Sequence, residues 1–335
     1  MRSENTIRVI ALHVGVLAAL FLVQFVLPDY HHLALTRVML LAIYAMGYNM
    51  LFGYTGLLSL GHAMFFAAGL YGAGMTAYYT DLGVPLAFLI GIVCGAALSL
   101  VIGVIALRTT GVAFMIVTMM FGQVAYLTIT YFTDYTRGEE GLTMPTSARS
   151  FDLLGLHVDL TNAVQRYNLA LGLLALTLLV IFVVVRGPIG RVLIAIRENE
   201  TRTLMLGFDT FRMKLGALVL SGTISAMAGA AYGLMFAYVG ATFATIQYSI
   251  EALLFTLLGG AGTVLGPLLG SILMFYMIDI TSEYTQAYLL VTGVALVVLV
   301  LFFPKGILGT IRERWLPWLP LPCFLPKVSV ATSEG

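Results

Sequence analysis

The sequence predicts an all-α, polytopic membrane helical bundle of about 8–10 membrane segments. Three observations predict it. Hydrophobic residues make up 60% of the 335 positions and charged residues only 10%, with a mean hydropathy of +0.98. An ordinary soluble domain carries about 25% charged residues, so the polar surface here is too small to coat a water-soluble globule. Apolar runs near the length of about 20 residues needed to cross a bilayer recur along the chain. Lys and Arg gather in alternate connections, the pattern of a chain that crosses repeatedly and keeps its basic residues inside. The net charge of +1 is uninformative as a total, and no Lys/Arg cluster interleaved with aromatics suggests nucleic-acid binding.

The elements follow in order. Arg2 and Arg8 precede an apolar run from Val9 to Leu27. It reads as a first span over 8–27 and not as a cleaved leader, because no small-residue cleavage site precedes Pro28 and more spans follow. Further spans are expected over 35–53, 57–79, 84–107, 111–133, 167–185, 212–239 and 284–303, by the same length rule. The stretch 250–280 is too long and too glycine-rich for one plain helix. Gly259, Gly260, Gly262, Gly266 and Pro267 predict a break, giving two helical pieces or a re-entrant hairpin. Irregular backbone at that depth requires a protein or water-lined surrounding.

Charge sets the orientation. Arg2 and Arg8 place the N-terminus in the cytoplasm, and counting spans brings Arg108 and the run 186–214 to the same side. The segment 134–166 falls outside; there Asp134, Glu139, Glu140, Asp152 and Asp159 outnumber Arg137, Arg149 and Arg166. Lys305, Arg312, Arg314 and Lys327 put the C-terminus inside as well. Arg37, near the outer end of the second span, is the exception. One membrane domain over 1–310 and a Pro-rich tail over 311–335 are expected, the tail fraying or lying along the surface. The external segment divides the chain into halves of similar make-up, between which no sequence repeat stands out. Cys94 and Cys323 define neither a disulfide framework nor a metal site.

The run Arg186–Lys214 is the most distinctive stretch, with six basic and three acidic residues between apolar spans. Pro188 suits a helix start and Gly207 the position after a helix end. Val192, Leu193, Ile196 and Leu204 form an apolar stripe, while Arg191, Arg197, Glu198, Asn199, Glu200 and Arg202 crowd the other face. Glu198 and Arg202 have the spacing of a one-turn ion pair. The residues alone leave two readings open: an interfacial helix lying against lipid headgroups, or a coupling helix that seats in a cytosolic ATPase.

GPIGRVLIAIRENETRTLMLGFDTFRMK, 187–214, resembles the cytoplasmic segment of the branched-chain amino acid ABC transporter permeases. Three more blocks match that family in order: NMLFGYTGLLSLGHAMFFAAGLYGAG, LSGTISAMAGAAYGLMFAYVGA and SIEALLFTLLGGAGTVLGPLLGSIL. Together they cover most of 35–303, and the layout is similar to the second of the family's paired permease subunits. The chain departs from the family at Leu57, where Gln is frequent, and at Thr203 and Leu204, where alanines are frequent. The resemblance implies a permease of the bacterial inner membrane, with partners in a second homologous permease, two cytosolic ATPases and a periplasmic substrate-binding protein. ATP and Mg would be bound by the ATPases, and no cofactor by this chain. It implies ATPase coupling through Arg186, Gly190, Arg191, Ile196, Arg197, Glu198, Asn199, Glu200 and Gly207. The implied cargo is leucine, isoleucine or valine; related permeases carry urea, short amides or other amino acids.

The blocks also supply candidate pathway or gate residues: Asn49, Gly53, Gly56, Ser59, Gly61, His62, Glu251, Gly259 and Gly260. Each has a plainer reading. Glycines in spans let helices approach closely. A lone His62 beside Ser59 is more often a hydrogen-bonded structural residue than a proton carrier, although polar groups in spans raise the functional odds. Glu251 opens an apolar stretch and is either solvated at the external headgroups or part of a gate. The sequence holds no GxxxxGK[ST] phosphate loop, no run of buried carboxylates for proton-driven transport and no nucleophile–base arrangement. A secondary carrier or channel working without ATP is the rival from another class.

Overall fold

A computed structural model describes residues 2–26, 28–144, 150–153, 156–303 and 306–315. Helices dominate. Among the described residues they are α1 (Arg2–Val23), α2 (Asp29–Asn49), α3 (Ala63–Tyr79), α4 (Val84–Ala106), α5 (Val112–Tyr131), α6 (Thr133–Thr136), α7 (Ala163–Arg186), α8 (Pro188–Glu198), α9 (Glu200–Met205), α10 (Thr210–Phe236), α11 (Ile246–Gly259), α12 (Gly266–Tyr284), α13 (Tyr288–Phe302) and α14 (Gly306–Trp315). Among the described residues five stretches are long and apolar enough to cross a membrane: Tyr30–Tyr54, Val84–Ala106, Val112–Tyr131, Ala163–Arg186 and Thr210–Phe236.

α2 and α10 form the centre, buried along most of their length. α3, α4 and α10 pack together through small residues, which substitute close backbone contact for the missing hydrophobic drive in lipid. α4 buries Ala87, Gly91, Gly95, Ser99 and Gly103, every fourth residue along one face. A side chain on Gly95 would strike Ala226, and one on Gly222 would strike Ser99. These glycines serve packing. α5 and α13 lie at the periphery with apolar faces exposed, among them Ile116, Met120, Val124, Val294 and Leu301.

Several expectations need correction. Beside the helices that the all-α class predicts, four short strands among the described residues form two antiparallel pairs. β2 (Ser150–Leu153) pairs with β3 (Leu156–Asp159) in the segment expected outside. β1 (Leu142–Thr143) pairs with β4 (Tyr238–Val239), which ties that segment to the chain just after α10. The span expected over 57–79 begins as helix only at Ala63; α2 ends in a π-helical turn, Met50–Tyr54, and 57–62 is irregular. Gly53 and Gly56 favour that break and apolar composition hides it. The expected break in 250–280 lies at 260–265, and α11 and α12 pack alongside each other as a hairpin. α14 runs from Gly306 to Trp315 and packs on α11 and α12. Pro317, Pro320, Pro322, Cys323, Pro326 and Lys327 lie outside the described residues, as do Arg149, Lys305 and the side chains of Arg2, Arg8, Asp152, Arg312 and Arg314.

The two halves share an order that the sequence does not show. α2, a break, α3, α4 and α5 correspond to α10, a break, α11, α12 and α13. Each break opens on Tyr-x-Gly, at Tyr54–Gly56 and Tyr238–Gly240. α3 packs on α10, and reciprocally α11 packs on α2. The end of α2 and the start of α10 both lie by α8, so the halves run in opposite senses. The starts of α3 and α11 meet inside the bundle, where the Ala63 amide donates to Ser249 Oγ at 2.8 Å and Tyr44 Oη to the Tyr248 carbonyl at 3.3 Å.

Candidate functional site

The candidate residues separate into three layers. The first is a junction beside α8. Asn49, at the end of α2, reaches across to the break before α12. Its Nδ2 donates to the Thr263 carbonyl at 2.8 Å, and its Oδ1 accepts the Gly262 amide at 2.9 Å. One buried side chain thus satisfies two backbone groups that the broken helix leaves without intrahelical partners. Arg197, on the last turn of α8, donates through Nη1 to the Gly53 carbonyl. Its stem lies against Gly56, and Nη1 also approaches Gly262. Gly56 and Gly262 adopt φ of +78° and +75°, conformations that L side chains rarely take. Gly53 has no room for a methyl group, which would meet Asn49 Oδ1 and come within 2.5 Å of the Gly262 amide nitrogen. Gly259 and Gly260 complete the junction; Gly259 touches Gly266 and Gly260 touches Gly306 of α14.

The second layer is His62, fully buried between α2 and α10. Ser225 Oγ donates to the Ser221 carbonyl at 2.9 Å, and Ser221 Oγ to the Gly47 carbonyl at 2.5 Å. Both hydroxyl hydrogens are therefore engaged. His62 Nε2, 2.8 Å from Ser225 Oγ and 3.3 Å from Ser221 Oγ, carries the hydrogen and donates to them. Nδ1 is buried without a partner among the described residues. Tyr44, Tyr48 and Phe65 pack around the ring. Gly61 meets α5 at Thr118 and Gly122, and Ser59 Oγ is buried without a hydrogen-bond partner among the described residues. The third layer is Glu251, half-buried in the second turn of α11.

The polar run after α7 is two helices, not one. α8 ends at Glu198, and Asn199 turns the chain in extended conformation (φ −160°, ψ 103°) while its side chain caps α9 by accepting the Arg202 amide at 2.9 Å. The break separates Glu198 from Arg202, so the expected pair does not form. Glu200 bonds Lys214 instead at 2.6 Å; Lys214 lies buried on the second turn of α10. Gly190, Leu193, Ile194 and Ile196 face inward, and a side chain on Gly190 would strike the Val185 carbonyl. Leu204, expected in the apolar stripe, is 58% exposed, and Met205 is 81% exposed. They continue with Leu206 and Phe208 into an exposed apolar patch around Gly207, flanked by Arg202 and Arg212. Arg191, Glu198 and Asn199 are also exposed, and Arg186 lies over the Phe182 ring at 4.7 Å. Sequence pattern missed that patch because α9 turns away from the axis of α8.

Among the described residues no cluster of three or more His, Cys, Asp or Glu is arranged to hold a metal ion. The sequence profile of a family described as branched-chain amino acid transport system / permease component matches residues 32–303. The chain is 28% identical over 297 residues to the high-affinity branched-chain amino acid transport system permease protein LivM of Escherichia coli K12, covering 83% of this chain and 70% of that protein. It is 23% identical over 288 residues to the corresponding permease protein LivH of Salmonella typhimurium, covering 80% of this chain and 91% of that protein. A shorter match, 30% identical over 135 residues and covering 37% and 40% of the two chains, reaches the ribose import permease protein RbsC of Haemophilus influenzae. No solved structure matches the chain.

Proposed function

The chain belongs to the branched-chain amino acid transport permease family, and from that premise we propose that it is one membrane-spanning subunit of an ATP-driven importer of branched-chain or related amino acids. A second permease completes the pathway, two cytosolic ATPases dock beneath, and a periplasmic binding protein delivers the substrate. The family membership and the relatives' descriptions support the transport class and the substrate class.

One observation carries the mechanism: Arg197 of α8 binds the backbone of the first break, while Asn49 binds the first break to the second. A displacement of α8 is therefore felt by α2, α3, α11 and α12 together. ATP binding would draw the ATPases together and move α8, and the two breaks would rearrange as one unit. The work on the pathway comes from differential ATPase affinity for its two states. The proposal divides the coupling segment by role. On this reading the buried Gly190 and Ile196, and Arg197 through its bond to the Gly53 carbonyl, transmit, whereas the exposed Arg191, Glu198, Arg202 and Leu204–Phe208 make contact. Paired with Arg202 and Arg212, the apolar patch fits a groove on another protein better than headgroups alone.

The test replaces the outward face and spares the inward one. Leu204→Asp combined with Met205→Asp is expected to leave the permease in the membrane at normal amounts but to abolish co-purification of the ATPases. Normal co-purification in that variant would overturn the assignment and favour a helix resting on lipid.

A further inference from the structure

α2 is enclosed from Ala34 to Tyr54 except at Arg37, whose side chain is exposed, and at the half-buried Phe52. A charge facing lipid within a span is costly, so an exposed Arg there points to a water-filled or protein-covered space. Arg37 does not extend along its helix away from the bundle. Its guanidinium carbon lies 5.9 Å from the Tyr232 ring centroid and 5.4 Å from that of Phe236, on the last turns of α10. Tyr232 packs on Phe243 at 5.0 Å, and Phe243 meets Tyr248 edge-on at 5.2 Å. Tyr248 is one turn before Glu251 on α11. Tyr232 and Tyr248 each lie within electrostatic range of both Arg37 and Glu251.

An acid and a base thus border one aromatic basin. No ion pair joins them among the described residues. The Tyr248 hydroxyl is buried there with no hydrogen-bond partner among the described residues. The basin lies beside the start of α11, bordered by the exposed Arg37 and by the half-buried Phe236, Phe243 and Glu251. A free amino acid has the matching chemistry: a carboxylate and an ammonium on one carbon, and an apolar side chain.

We propose that this basin is a substrate subsite in the translocation pathway, with Arg37 receiving the α-carboxylate, Glu251 the α-ammonium, and Tyr232, Phe236 and Phe243 the aliphatic side chain. The inference rests on the reading of the chain as an amino-acid importer. The two charges stand on different helices, α2 and α11, which the junction at Asn49 links at their other ends. Movement at the junction changes their separation, so the subsite holds the substrate in one state of the pathway and releases it in the other.

The experiment uses the full importer in proteoliposomes, with its second permease, ATPases and binding protein, and radiolabelled leucine. Wild-type protein without ATP-dependent leucine uptake would sink the functional reading itself and is scored first. Given wild-type uptake, Arg37→Gln and Glu251→Gln are each expected to lower leucine uptake roughly 10-fold or more, the loss of a charge-assisted contact. ATPase stimulation by the loaded binding protein is expected to persist. Arg37→Lys is expected to retain an intermediate rate, and it serves as the test where the Gln variant fails to assemble. Uptake at the wild-type rate in either Gln variant would overturn the proposal. So would a parallel loss of uptake and ATPase stimulation, which would make these residues structural or part of the binding-protein contact.

Discussion

Asn49 shows how much a single side chain does in this bundle. Its two hydrogen bonds join the end of α2 to the break before α12, and Gly53 leaves them the space. Asn49→Ala removes both bonds and is expected to cost about 2 kcal/mol, at roughly 1 kcal/mol per bond. Gly53→Ala is expected to cost at least as much, because the new methyl displaces the Asn49 carboxamide and overpacks the junction, itself worth about 1–3 kcal/mol. Thermal unfolding of the detergent-purified protein checks both; a wild-type midpoint in Gly53→Ala would refute the close approach. Asn49, Gly53, Gly56, Gly259 and Gly260 are all readable from the sequence, since a polar or conformationally free residue is conspicuous in an apolar run. The bond from Arg197 to the Gly53 carbonyl is not, because an arginine in a polar stretch carries no sign of a distant backbone partner. Arg37 registers only as an exception to charge sidedness; its meaning appears when α10 brings Tyr232 and Phe236 beneath it.

At the scale of elements, the joint between α8 and α9 decides what faces outward. Asn199 ends one helix and caps the next, and Glu200 then binds Lys214 of α10 at 2.6 Å. Lys214 is 4% exposed while the Glu200 side chain is 43% exposed, so the pair is asymmetric. Glu200→Gln leaves a buried ammonium without its counter-charge. The loss is expected to be about 1–3 kcal/mol, below that of a fully buried pair because solvent reaches the acid. Lys214→Met removes the buried charge and keeps the volume, and is expected to be milder. Comparing the two unfolding midpoints checks this, and a milder Glu200→Gln would contradict it. The amphipathic pattern of 188–198 is legible from sequence; the turn at Asn199 is not, because it depends on a side-chain cap and on a tertiary ion pair. The break in 260–265 is legible from its glycines. The one at 50–62 is masked, since apolar residues continue through it and the Gly53 carbonyl finds its partner on a distant element, Arg197 of α8.

On the scale of the whole molecule, the fold is two opposed sets of helices whose short members, α3 and α11, start inside the bundle. Composition and charge sidedness predict the membrane class and the helix order. They do not reveal the inverted repeat, because two halves related by packing need share only Tyr-x-Gly at the breaks and small residues where helices touch. This architecture places one charged helix, α8, against the end where both halves are broken. The central claim is that ATP-driven motion enters there, through Arg197. Its most direct test is leucine uptake into proteoliposomes holding the complete importer, with and without ATP, for the wild-type chain and for Arg197→Gln. The account predicts ATP-dependent uptake for the wild type; in the variant, ATPases remain bound and hydrolyse ATP but uptake falls by roughly 10-fold or more, the loss of a charge-assisted contact. Uptake that persists without ATP, or that is unchanged in Arg197→Gln, would contradict it.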